Sequence, residues 1–381
     1  MTDNRAFVVV AAEGSLPGGD GATDIAVLKF KLSEVKLSVL RGTLAFLLLV
    51  ALSAGSLAQG SGEVNTYSYR QTYLIEPLRK AFTDKTGIKT NVVFAKKGLI
   101  ERIAAEGRNS PADILLTVDI GQLSDAANKD IAQPVTSSVL DRNIPAQYRD
   151  SAGHWFGLTS RGRVVYASKE RVGQDTITYE ELADPKWLGK ICIRPGHHVY
   201  NVALVAAMIA HHGEEKTEEW LRGLKANLAR KPAGNDRAQV KGVYAGECDL
   251  AIGNTYYMAK MMLNQKNPEQ QQWAASVKML FPNAQDRGTH INLSGMILAK
   301  NAPNKENAIR FMEFLSSVDA QKIYAEVNHE YPVKEGVPWS NLVKSWGELK
   351  PDSLSLEQVA TLRKKASEMI DKVAFNDGPS S

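Results

Sequence analysis

The chain has 381 residues, 44% hydrophobic and 23% charged, a composition that excludes a disordered or collagen-like protein. At about 150 residues per domain, two domains suit the length better than one. A formal net charge of +4 is too small a bias to argue for nucleic acid, and two cysteines exclude both a disulfide scaffold and a four-cysteine zinc site.

Residues 1–34 carry no periodicity. A basic stretch with Lys36 and Arg41 follows, then the apolar run Leu44–Leu52, then the small residues Ser53–Ala58. This is the order of a secretory signal, with cleavage expected after Ala58. The apolar run falls well short of the roughly 20 residues that a spanning helix needs, which argues against a membrane anchor. No cysteine follows it, so a lipid anchor is not indicated. Because the signal starts late, Met1–Glu34 are expected to precede the true start. Residues 59–381 would form the exported protein.

In that part, strand-like and helix-like segments alternate. Val64–Tyr69 reads as a strand. Leu74, Leu78 and Phe82 recur at a helical spacing of four, and Thr86-Gly87 stops the helix. Lys89–Phe94 is a strand, Leu99–Ala105 a short helix, and Ile114–Val118 a buried strand. Trp155–Ala167 and Ile291–Ala299 read as long strands crossing between two lobes. Between them lie the strand Ile191–Ile193, the apolar helix Asn201–Ala210, the amphipathic segment Thr217–Arg230 and the strand Asp249–Ile252. Apolar faces in the tail, through Phe311 and Leu315 and through Val359, Met369 and Ile370, are core faces of helices. The alternation predicts an α/β fold.

Enzyme motifs are missing. Gly157–Arg163 mimics a phosphate loop without its Lys and following Ser or Thr, and no Gly-x-Gly-x-x-Gly or Gly-x-Ser-x-Gly occurs. His329-Glu330 is followed by Tyr331-Pro-Val333, so the zinc-protease pattern fails at its second histidine.

Polar groups instead collect at strand ends, where α/β sheets bind ligands. Arg70 and Gln71 follow the first strand, Asp119 follows Ile114–Val118, Tyr200 ends the loop Arg194–Tyr200, and Tyr256-Tyr257 follow Asp249–Ile252. Tyrosine suits ferric ion, a hard cation that favours charged oxygen donors. A bound cation deprotonates its ligand, and three phenolates from Tyr200, Tyr256 and Tyr257 would balance three positive charges. Arg70 could hold a companion anion such as carbonate. His197-His198 read as surface residues, and His211-His212 as a solvated helix end before Gly213. Arg161 and Arg163 are either cleft residues or ordinary ion-pair partners. Cys192 and Cys248 are either paired, if their strands are neighbours, or two buried thiols; an oxidising compartment favours pairing.

The stretches Tyr67-Ser-Tyr-Arg-Gln71, Ser110–Asp119, Trp155–Thr159, Asp184–Lys190, Tyr200-Asn201 and Gly253-Asn-Thr-Tyr-Tyr257 span nearly all of residues 59–381 in order. Through them the sequence resembles the periplasmic ferric-ion-binding proteins, the substrate-binding components of iron ABC importers. The resemblance implies a two-lobed periplasmic-binding-protein fold of type II with two crossing hinge strands, closing on iron by hinge motion. It divides the chain into 1–58 (extension and signal), 59–160 (lobe 1), 161–284 (lobe 2) and 285–381 (return to lobe 1 and C-terminal helices). It maps iron ligands onto Tyr256, Tyr257 and Tyr200. The histidine or histidine–tyrosine that other members place after the first strand is here Gln71-Thr72, so Tyr73 becomes a candidate first-lobe contact. Asp119 lies next to Val118, where some members carry a ligand glutamate. The resemblance also supports the Cys192–Cys248 pairing.

The expected protein is therefore a periplasmic monomer without catalytic turnover that passes ferric iron to an ABC permease and its ATPase. The alternative is a protein of the same fold for an organic or anionic solute such as a polyamine, thiamine or a sugar phosphate. A secreted enzyme is the remaining reading.

Overall fold

The computed structural model describes residues 62–379; the expected signal and extension lie outside them. Among the described residues no helix is long and apolar enough to cross a membrane.

The elements that position the site are β1 (Glu63–Ser68), α1 (Thr72–Thr86), β2 (Lys89–Phe94), β3 (Ile114–Thr117), α2 (Ile120–Asn128), β4 (Phe156–Ser168), β5 (Ile191–Cys192), α3 (Val199–Ala226), α4 (Asp236–Tyr244), β6 (Leu250–Asn254), α5 (Tyr256–Met262), β7 (Val277–Leu280), β8 (Ile291–Ala299), α6 (Lys305–Ser316), α7 (Leu356–Thr361) and α8 (Arg363–Lys372). The strand order is β2-β1-β3-β8-β4-β6-β5, with β7 also on β4. β1 is parallel to β2 and β3, and β8 runs antiparallel to β3 and β4.

The thirteen residues of β4 are all buried, because the strand belongs to two sheets in turn. Its first half pairs with β8, from Phe156 opposite Met296 to Gly162 opposite Ile291. Its second half pairs with β6, from Arg163 opposite Asn254 to Ala167 opposite Leu250. Each sheet has its own core. Ile75, Leu78 and Phe82 of α1 meet Ile114 and Leu116 of β3 and Phe311 and Leu315 of α6 around the first sheet. In the second lobe, successive side chains of β4 point to opposite faces. Val165 and Ala167 join Leu204, Leu221 and Leu250 on one face. Val164 and Tyr166 join Val240, Met258 and Met261 on the other. This is the two-lobed α/β architecture.

Two details refine the sequence expectation. Asn201–Ala210 and Thr217–Arg230 belong to α3, two helical stretches joined at Gly213, whose φ of 79° is a left-handed, non-helical value that favours glycine. The first stretch ends at His211-His212 as expected, but the two rings are partly buried and paired: His211 Nε2 lies 2.7 Å from Asp352 and His212 Nε2 2.6 Å from Glu180. The last helices, after the chain has returned through β8 and α6, cover the second core rather than the first. Val359, Ile370 and Val373 pack there because their apolar stripe matches the outer face of α3.

Cys192, at the end of β5, and Cys248, just before β6, are both buried, with Cα atoms 5.9 Å apart and sulfurs joined. The bridge closes a loop across a separation of 56 residues. Chain-entropy arithmetic for such a loop gives about 4 kcal/mol. The Cys192→Ser, Cys248→Ser variant should therefore lose about that much unfolding free energy in urea titration. An unchanged midpoint, or two titratable thiols in unreduced protein, would contradict it.

Candidate metal centre

Three strand-to-helix junctions and one returning loop meet between the lobes. At the first, β6 ends at Asn254 and α5 begins at Tyr256. Gly253 is required there: a Cβ would lie 2.4 Å from the Tyr166 ring, which passes beneath the strand end and donates its hydroxyl to the Asn254 carbonyl at 2.5 Å. At the second, His198 caps α3 by accepting the Tyr200 N–H at 3.3 Å. Burial, then the Arg194 charge, push His198 down to about 3, so it is a neutral acceptor at physiological pH. At the third, β1 leads through Arg70 into α1.

The tyrosines converge. Tyr200 Oη is 3.2 Å from Tyr256 Oη, and the Tyr256 and Tyr257 rings lie 4.3 Å apart. Tyr200 retains 9% of its surface. Burial raises the Tyr256 phenol well above its ordinary value, with further upward pushes from Tyr200 and Tyr257. Tyr257 is raised by burial in the same way. Without a cation, both groups hold their protons. Guanidinium groups of Arg194, Arg161 and Arg163 lie 5.2, 5.7 and 5.8 Å from the Tyr200 ring.

Tyr200 and Tyr256 face a cavity of about 40 Å³ whose opposite wall includes Arg70, Val118 and Glu330. Arg70 Nη2 donates to Glu330 Oε2 at 2.7 Å, and Thr159 Oγ1 donates to the same oxygen at 2.9 Å. Burial alone would disfavour the Arg70 charge; the Glu330 carboxylate more than offsets this and raises it. Burial likewise disfavours ionised Glu330, and Arg70 overrides it, holding the carboxyl below its ordinary range. On the same cavity, Arg161 Nη1 donates to Ser294 Oγ at 2.8 Å. The buried Nε of Arg70, and Nε and Nη2 of Arg161, have no partner among the described residues. Unpaired buried donors of this kind call for an acceptor, and an oxyanion supplies several.

The other expected contacts stand apart. Gln71 is exposed at the start of α1. Tyr73 is 58% exposed; Lys260 of α5 donates to its hydroxyl at 3.2 Å across the mouth of the cleft. Asp119 is buried but committed: it accepts the Gln122 N–H at 3.1 Å as the cap of α2 and accepts from Asn292 at 3.1 Å. His197 pairs with Asp371 on the surface at 2.8 Å. Arg163 is an ion-pair partner, of Asp236 at 3.1 Å, while Arg161 lines the cavity.

Sequence reasoning passed over Glu330, seen only within a failed zinc motif, and Ser294, inside a strand. Among the described residues no group of three His, Cys, Asp or Glu side chains is arranged to hold a metal. The oxygen donors gathered here are phenols, which in ionised form suit a small hard cation.

A family model described as bacterial extracellular solute-binding protein matches residues 109–348. Iron uptake protein A1 of Synechocystis is 44% identical over 315 residues, covering 82% of this chain and 87% of that protein. Among solved structures, the apo ferric ion-binding protein A of Pasteurella haemolytica is 52% identical, with a TM-score of 0.79, over 83% of this chain and 99% of that one. A Trichodesmium protein in complex with iron and citrate ligands is 45% identical, with a TM-score of 0.78, over 82% and 100%.

Proposed function

Because this chain belongs to the bacterial extracellular solute-binding proteins, in the branch that carries ferric iron, we propose that Tyr200, Tyr256 and Tyr257 are its iron ligands. The protein captures ferric iron and delivers it to an ABC permease. The carrying observation is that Tyr200 and Tyr256 meet on the wall of a cavity of about 40 Å³ between two lobes, with Tyr257 stacked against Tyr256. That space suits an ion and a small companion; a polyamine, thiamine or a sugar phosphate is far larger.

The charges support the same reading. Arg70, Arg161 and Lys260 outweigh Glu330 on the cavity wall by two positive charges. Three phenolates cancel a ferric ion, which leaves room for a divalent anion such as carbonate held on the unpaired guanidinium donors. Arg70 is the first-lobe contribution, through the anion. Gln71, Tyr73 and Asp119 stay outside the coordination sphere.

The cargo enters and leaves by opening at the crossing strands. The chain binds and releases without turnover. It acts as a monomer in the periplasm, exported by the signal within residues 1–58, and an ATPase drives its permease.

Titration of the purified protein with ferric salt in carbonate buffer tests the assignment. One equivalent should bring up a red to purple phenolate-to-iron charge-transfer band and raise the unfolding temperature. A colourless protein with no iron-dependent thermal shift would overturn it.

A further inference from the structure

We propose that Asp236 is a positioning residue for the metal centre: it locks the loop that ends at Tyr200 to the strand end that leads to Tyr256 and Tyr257. The role rests on the phenolate reading above. Asp236 touches no tyrosine oxygen in the described hydrogen bonds, and it acts through three bonded neighbours, Arg194, Arg163 and Asn254.

Asp236, in the first turn of α4, is fully buried. Its Oδ1 accepts from Arg194 Nη1 at 2.9 Å. Its Oδ2 accepts from Arg163 Nη1 at 3.1 Å and from the Asn254 N–H at 3.2 Å. Arg194 opens the loop that closes at Tyr200, and Asn254 is the last residue of β6, two places before Tyr256.

Arg163, on the crossing strand, completes the frame. Its Nη1 also reaches Asn254 Oδ1 at 3.0 Å, and its Nη2 reaches Asn201 Oδ1 at 2.7 Å. Asn201 returns both amide hydrogens to the loop, at the carbonyls of Arg194 (3.0 Å) and Pro195 (3.1 Å). One carboxylate thus sets the spacing between two segments that sequence separates by more than fifty residues. The two guanidinium groups it holds are the ones that face the Tyr200 ring at 5.2 and 5.8 Å.

The residue type follows from the donors. Every group aimed at Asp236 is an N–H, so an acceptor-only side chain is required. An asparagine of the same shape would turn an amide NH₂ toward one of them and leave two buried guanidinium groups without their shared anion. Groups that orient metal ligands from outside the coordination sphere typically change affinity by about 10- to 100-fold when altered.

The test is Asp236→Asn, with Asn201→Ala as a milder variant that keeps both ion pairs and removes one strut. Each is loaded with ferric ion in carbonate buffer. The charge-transfer maximum, its intensity per iron, the affinity in citrate competition and the unfolding temperature of the metal-free protein are measured. A displaced, weaker band is expected in both. Affinity should fall about 10- to 100-fold in Asp236→Asn and less in Asn201→Ala. If Asp236→Asn does not fold, Arg194→Gln, which removes the donor to Asp236 Oδ1, decides in its place. A folded Asp236→Asn or Arg194→Gln with wild-type band and affinity would overturn the role. A wild-type protein with no band would instead overturn the phenolate assignment, at an earlier step.

Discussion

Replacing Tyr256 and Tyr257 together by phenylalanine is expected to abolish ferric binding and the visible band while leaving the metal-free fold intact. The substitution removes two hydroxyls and keeps two rings, so packing around α5, where Met258 and Met261 are buried, is preserved. What disappears is two of three anionic oxygens. The remaining phenol, Tyr200, would lose its hydroxyl partner at 3.2 Å and face ferric ion alone. Citrate in competition should then strip the metal completely, and Tyr200→Phe should give an intermediate loss. Retention of one tightly held, coloured iron by the double variant would remove the tyrosines from the coordination sphere. A collapse of the unfolding temperature would mean that the pair is chiefly structural.

Acid should release the metal steeply. Burial raises the phenols of Tyr256 and Tyr257, so in the metal-free protein both remain protonated across the physiological range. With Tyr200, Tyr256 and Tyr257 as ligands, binding in carbonate-free buffer would convert three phenols to phenolates and expel three protons. The apparent ferric affinity therefore rises with pH and falls by about a thousandfold for each unit of acidification. The sign is that of groups whose metal-bound form is the deprotonated one: loading is favoured above, and release below. A logarithmic plot of affinity against pH between 5 and 8, at fixed free ferric ion, checks the slope. A slope near zero would exclude phenolate ligands, and a slope near one would leave a single tyrosine in the sphere. Protons released on loading, counted in weakly buffered solution, give the same number independently.

The convergence of the three tyrosines was legible before any coordinates. Tyr200 and the Tyr256-Tyr257 pair stand directly after loop or strand and directly before apolar helical spacing, and a polar group in that place faces a cleft. The crossing strands were legible because Trp155–Ala167 and Ile291–Ala299 are long strand-like segments that bracket the residues of the second lobe. Asp119 was over-read for a physical reason: a carboxylate after a strand is equally a helix cap, and here the first turn of α2 claims it. Gln71 and Tyr73 were over-read because position along the chain does not say which side of α1 faces the cavity. Glu330, Ser294 and Asp236 were invisible for the opposite reason. Each owes its role to partners far off in sequence, such as the 260 residues between Arg70 and Glu330, and no local pattern records such a pair. For His211 and His212 the helix end before Gly213 was legible, but their carboxylate partners, Asp352 and Glu180, were not.

The order of the strands has a consequence for how the molecule is made. β3 pairs with β1 on one side but finds its other neighbour only in β8, so Thr117 must wait for Gly295, 178 residues further along. The second lobe lies wholly inside that interval, apart from the helices that cover it last, and its disulfide closes within it. Contacts near in sequence form before distant ones, because closing a long loop costs more entropy. The inserted lobe therefore gains its bridge while the first lobe is still an open sheet. Glu330, from the far end of the chain, then seals the wall opposite the tyrosines. The tyrosines of the inserted lobe thus stand together before the wall that faces them, and the enclosed cavity exists only after the rest has folded.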